Sequence, residues 1–154
     1  MATRRITALG TVRAAGGLVL LVVGGVHLQQ YTAGHFSVVP TIGTLFLLNF
    51  IAATVLGLWL LVPVRRGGYR RGRFVVDVAV AVAGIGVAGG ALVALLISET
   101  QPLFGFMENG YRLEIVIALA SEAAAIVLLG AFLALAVTRA RRPRGAPRAR
   151  ALSV

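Results

Sequence analysis

The sequence predicts an all-α fold: four transmembrane helices in an up-down bundle, with the N- and C-termini on the cytoplasmic side (N-in/C-in). Three observations carry this. Hydrophobic residues make up 58% of the 154 residues and charged residues only 13%, a balance that a soluble domain of this size cannot bury. Four apolar runs approach the roughly 20 residues that a helix needs to cross a bilayer. Arginines flank those runs at alternate ends, the pattern of the positive-inside rule.

The first run, Ala14–Gln30, is short and ends in polar residues, with Arg4, Arg5 and Arg13 before it. Arg4–Arg5 ahead of an apolar stretch also has the form of a cleaved leader. No clear A-x-A site follows, however, and losing this run would place the later arginine clusters on opposite sides, so the run is read as a retained span. The second run, Thr41–Val64, is entered through Pro40, which suits a first helical turn because its missing N–H costs nothing there. The third and fourth runs are Phe74–Ile97 and Leu113–Val137. Residues 1–138 thus form the membrane domain, with helices over 14–30, 41–64, 74–97 and 113–137. Residues 139–154, rich in Arg and Pro, read as a disordered cytoplasmic tail.

Charge placement orients the bundle. Every basic residue is Arg. They cluster before the first run (Arg4, Arg5, Arg13), between the second and third (Arg65, Arg66, Arg70, Arg71, Arg73) and after the fourth. The other two connections hold only Arg112. The expected location is a bacterial plasma (inner) membrane, multi-pass, with the lipid bilayer as solvent and anionic lipids at the Arg clusters. The net charge of +10 therefore argues for headgroups and against nucleic acid as a partner. The absence of Cys excludes disulfides, thiolate metal sites and thiol chemistry.

Glu122 is the most informative residue. It lies deep in the fourth run, where an uncompensated charge costs several kcal/mol, about 3 on insertion scales. Asn49 and Glu122 each lie about nine residues from the outer ends of their helices, ~13 Å deep at ~1.5 Å per residue. With the shallower His27 they can converge on a polar track that opens outward. Glu122 is then a proton-carrying functional group, or a tether pinning helix four to Asn49 or His27. Tyr31, His35, Glu99, Glu108, Arg112 and Glu114 form the candidate outer mouth. The apolar loop Pro102–Tyr111 is expected to lie along the interface or to fold over that mouth. Glu114 suits the positive end of the fourth helix, and Glu108 can pair with Arg112 four residues on. Asp77 is expected to pair with Arg73 at the inner end, with Trp59 in the inner aromatic belt.

Two patterns have rival readings. Gly84-Ile-Gly-Val-Ala-Gly89 is a literal dinucleotide fingerprint, but it sits inside a membrane-length run without the strand and acidic residue that such a site needs. Gly86, Gly90 and Ala94, one small residue every four, instead predict close helix packing inside the bundle, with homodimerisation as the lesser alternative. His27 and His35 stand eight apart, which does not make a helical ligand pair. No metal or cofactor is expected, and both histidines read as amphipathic residues at headgroup level.

His27-Leu-Gln-Gln-Tyr31, Val39-Pro-Thr-Ile-Gly-Thr-Leu-Phe-Leu-Leu-Asn49, Pro102-Leu-Phe-Gly-Phe106 and Ser121-Glu122 resemble the small four-helix membrane proteins of actinobacteria. The resemblance spans most of the chain and implies the fold without an activity. Arg13-Ala-Ala-Gly-Gly-Leu18 bears a fainter likeness to DoxX-type four-helix proteins, which implies association with membrane redox systems and transfers no site. The sequence contains no nucleophile–base pair, metal motif or phosphate loop. The expected function is therefore that of a non-enzymatic accessory or interaction component with a polar outer mouth, partnered by another membrane protein or by its own copies. The alternatives are a small oligomeric proton-coupled transporter or channel using Glu122, and a redox-linked subunit using His27 and His35.

Overall fold

Four long helices account for almost all of the regular structure. The computed structural model describes residues 2–64, 71–105, 107, 110 and 112–141, with side chains from residue 8 onward. Helix α1 spans Ala2–Thr32, α2 Pro40–Leu61, α3 Arg71–Ser98 and α4 Leu113–Ala140, and a single 3-10 turn, Phe36–Val38, precedes α2. All four helices are long and apolar enough to cross a membrane. Among the described residues no β-strand competes with them, as expected where every backbone group must be satisfied internally.

The helix ends differ from the expected ones for local reasons. Helix α2 stops at Leu61 rather than Val64. Val62 precedes Pro63, whose ring disfavours helical backbone in the residue before it, and Val62 takes φ −57°, ψ 120°. Helix α1 begins at Ala2, well before residue 14, and α3 at Arg71 rather than Phe74. These additional turns are polar or mixed, and a search for apolar runs passes over them. Helix α4 continues to Ala140, through the first residues of the expected tail. The rest of that tail lies outside the described residues.

The helices alternate in direction, so the start of α1, the end of α2, the start of α3 and the end of α4 share one end, here the termini end. The α1–α2 and α3–α4 connections share the other, the loop end. Helix α1 packs on α2 and α4, and α3 on the same two; the α1–α2 seam is the most extensive, and α2–α3 is the slightest between neighbours. Small residues explain the tight seam. A Cβ at Gly17 would lie 2.9 Å from the Gly57 carbonyl oxygen, and one at Gly57 2.8 Å from that of Gly17. The two backbones touch, which only glycine permits. Leu129 of α4 occupies a second recess: a Cβ at Gly16 or Gly84 would come within 2.6 or 2.8 Å of its methyl carbons.

The small-residue face of α3 is not the expected one. A Cβ at Gly86 or Gly90 would meet nothing within 4 Å, and both residues are exposed. The buried face carries Asp77, Ala81, Gly84 and Ala88, at i, i+4, i+7 and i+11. Spacing alone gave the right period but the wrong phase, by two residues. Gly86 and Gly90 therefore do not pack the bundle internally, while Ala94 is half-buried. Elsewhere the interior holds Leu20, Val23, Ala53, Ala125, Leu129 and Phe132, while bulky residues such as Val55 (61% exposed) and Val127 (68% exposed) face outward. A surface of large aliphatic side chains matches lipid as the solvent.

A polar cluster binds the termini end. Asp77, fully buried, accepts from Arg13 Nη1 at 3.2 Å, Arg73 Nε at 2.7 Å and Trp59 Nε1 at 3.0 Å. Arg13 Nη2 also donates to the Val62 carbonyl at 3.0 Å, and Arg73 Nη2 to those of Trp59 and Val62 at 3.2 Å each. The Arg73 guanidinium lies 4.7 Å above the Trp59 ring. The expected Arg73–Asp77 pair is therefore present, but as part of a larger unit that joins α1, the end of α2 and α3. Two arginines on the final carbonyls of α2 also complement the negative end of that helix.

Candidate functional site

The other polar residues gather in the loop half of the bundle, around a cavity of about 400 Å³. Its walls are largely apolar. Helix α1 contributes Val26, His27 and Gln30, α2 contributes Phe46 and Asn49, α3 contributes Gly90, Ala94 and Ser98, and α4 contributes Glu114 and Glu122. The small side chains of α3 that do not pack the bundle make room for this space. The size falls within the ~300–1,000 Å³ of small-molecule sites, and so does the character of many apolar groups with a few polar ones.

His27 and Glu122 face each other across the α1–α4 seam. His27 Nδ1 lies 2.9 Å from the Val23 carbonyl oxygen. A carbonyl can only accept, so this nitrogen carries the hydrogen. Nε2 then points toward Glu122 Oε1, at 3.7 Å, beyond hydrogen-bond length. The ring is held edge-on to Phe46, with centroids 5.5 Å apart, and Phe46 in turn meets Phe36 of the 3-10 turn at 5.0 Å.

Glu122 is 1% exposed, and its Oε2 has no hydrogen-bond partner. Asn49 is in a comparable position. Its Nδ2 reaches the Val87 carbonyl of α3 at a long 3.5 Å, and its Oδ1 is buried without a partner. An orphaned buried acceptor costs about 1–3 kcal/mol, so each needs a compensating partner or a function. The tether reading of Glu122 finds no hydrogen bond to support it: Asn49 turns toward α3, and His27 stands off at 3.7 Å.

The candidate trio of Glu122, Asn49 and His27 thus shares one cavity, and Glu114, in the first turn of α4, joins it. Of the remaining mouth candidates, Tyr31, His35, Glu99 and Arg112 do not line it. Tyr31 and Glu99 are half-buried, and Arg112 is exposed at the N-cap of α4. His35 is exposed in a left-handed turn at φ 60°, whereas His27 is buried, so the two histidines have separate settings. Among the described residues no group of three His, Asp or Glu could hold a metal. Glu108 lies outside the described residues, and with it the expected Glu108–Arg112 pair. The loop after α3 does reach the cavity, through Leu103 and Phe104, and Phe104 adopts φ 51°, an uncommon conformation for a bulky residue.

Sequence reasoning did not assign Ser98 or Gln30 to the site, although both are buried and line it. Gln30 was visible as a polar residue at the end of α1, and Ser98 as the last residue of α3 before Glu99; depth counting from the helix ends would have placed both beside His27. The chain matches no protein-family model, no curated protein and no solved structure.

Proposed function

We propose that this chain is a non-enzymatic, multi-pass membrane protein that binds a small, mainly apolar molecule in the cavity of its loop half, as a recognition or accessory component. The observation that carries the reading is Glu122 Oε2: a buried acceptor without a partner, on a residue that lines a 400 Å³, largely apolar cavity. The site offers binding groups more readily than catalytic ones. The Ser98 hydroxyl donates to the Leu95 carbonyl at 2.7 Å and the Ser121 hydroxyl to that of Ala118 at 3.1 Å, so neither hydroxyl is directed toward a base. The arginine distribution supports a bacterial plasma membrane with the termini end in the cytoplasm, where exposed Arg71, Arg139 and Arg141 would meet anionic headgroups. The loop half, with its cavity, would then face outward.

The test is native mass spectrometry after mild extraction, comparing wild type with Gly90→Phe. Position 90 lines the cavity and has open space beyond its Cα, so the new ring fills the site without displacing the core. A defined small mass on the wild type that is missing from the variant supports the reading. Identical lipid-only spectra would refute it. Orientation is tested separately. The chain has no Cys, so a single cysteine at Thr100 should react with an impermeant maleimide added to intact cells, and one at Arg141 should not.

A second reading, a proton-coupled carrier, is favoured by the same unpartnered carboxyl. It requires that Glu122→Gln abolish coupled uptake in proteoliposomes. The redox-linked reading gains no support from His27 and His35, given their separate settings.

A further inference from the structure

The fully buried polar atoms of the cavity are unbalanced in kind. Three of its donors are engaged by backbone carbonyls: His27 Nδ1 by Val23, Asn49 Nδ2 by Val87, and the Ser98 hydroxyl by Leu95. The buried side-chain atoms left without partners there are both acceptors, Glu122 Oε2 and Asn49 Oδ1. The ionisable groups are equally one-sided. Among the described residues two carboxyl groups, Glu122 and Glu114, line the space, and no arginine does. The remaining lining, from Val26, Ile42, Leu45, Leu48, Leu95 and Ile115, is aliphatic.

From this imbalance we infer that the occupant is an amphiphilic amine: an apolar body with a cationic, N–H-bearing head that donates to Glu122 Oε2 and Asn49 Oδ1. The inference rests on the binding role proposed above and specifies its ligand. An ammonium brings three donors and a positive charge, enough for both orphaned acceptors and complementary to the acidic lining. A carboxylate or phosphate head would place like charges together. A ketone would set acceptor against acceptor. A hydroxyl would supply a single hydrogen to two waiting oxygens.

The route of access fits the same class. Leu45 and Leu48 of α2 and Gly90 of α3 line the cavity and are exposed. They flank the slightest of the seams between neighbouring helices. A molecule dissolved in the bilayer therefore meets the cavity from the side, apolar body first, through the α2–α3 seam.

The experiment uses the full chain in nanodiscs of zwitterionic phosphatidylcholine, with octylamine, octan-1-ol and octanoate as probes and empty nanodiscs as the background. Binding is read by calorimetry. Octylamine should bind at least about tenfold more tightly than octanol, the factor that a charge-assisted hydrogen bond supplies, with octanoate weakest. In Glu122→Gln that preference should vanish while octanol affinity stays within about threefold. Asn49→Leu, which retains the acid, should weaken octylamine by about three- to tenfold, and it serves as the second readout should Glu122→Gln fail to fold. Octanol or octanoate binding as well as octylamine overturns the ligand class and leaves the cavity reading standing. An amine preference that survives both substitutions also overturns the class. If no probe binds wild type above the background or above Gly90→Phe, both readings fall.

Discussion

Replacing Asp77 with Leu keeps the branched side-chain skeleton and removes the carboxylate that receives Arg13, Arg73 and Trp59. The three bonds do not fail equally. Arg73 is partly exposed, with 23% of its side chain accessible, so it can turn toward water and headgroups and loses little. The Trp59 indole is also exposed enough to find another acceptor. Arg13 cannot do so: it is 4% exposed, its Nε already lacks a partner, and without Asp77 only the Val62 carbonyl remains. Stranding such a buried charge costs about 3–5 kcal/mol. The double variant Asp77→Leu/Arg13→Leu removes both charges and should recover most of that loss, because a buried pair exchanged for apolar groups is close to neutral. The expected coupling is about 2–4 kcal/mol, read as a double-mutant cycle from reversible unfolding in mixed micelles. Singles that each cost less than about 1 kcal/mol, or a cycle additive to within about 0.5 kcal/mol, would refute the account of this cluster.

Three further substitutions test the packing and the buried acid. Gly57→Ala should destabilise the bundle by about 1–3 kcal/mol, because its methyl meets the Gly17 backbone at 2.8 Å and rigid backbone cannot yield. Gly86→Ala, facing open space, should be neutral or stabilise by up to about 1 kcal/mol through helix propensity; thermal melts of the two side by side give the comparison, and equal shifts would count against the assigned phase of α3. Glu122→Leu should leave stability in detergent unchanged or raise it, since it deletes an acceptor that has no partner. A fall of more than about 1.4 kcal/mol, tenfold in the unfolding equilibrium, would mean that the acid does hold helices together.

The number of helices and their approximate positions were legible because lipid imposes a length on every apolar run. Their ends were less so. Val62 shows why: the helix stops where Pro63 constrains the preceding backbone, although hydropathy continues to Val64. The convergence of Glu122, Asn49 and His27 followed from counting depth along antiparallel helices. Their partners did not, because depth says nothing about rotation: Asn49 faces α3 rather than α4, and the glycine that receives Leu129 is Gly84 rather than Gly86. The Arg13–Asp77 pair spans 64 positions in sequence. Two charges at the same depth on separate helices were the available signal, overshadowed by the nearer partner Arg73.

The bundle grips itself unevenly. At the termini end a carboxylate, two guanidiniums and an indole cross-link three helices, and the Gly17–Gly57 contact brings two backbones together just beyond them. Towards the loop end the helices line an open-mouthed cavity and end in connections with left-handed residues. A molecule built like a clothes peg, sprung at one end and parted at the other, flexes mainly at its jaws. Backbone amides around Gly17 and Ala81 should therefore exchange with solvent through rarer openings than those around Asn49 and Ala94. Under the proposed binding role, that gradient would admit a ligand at one end without loosening the hinge at the other.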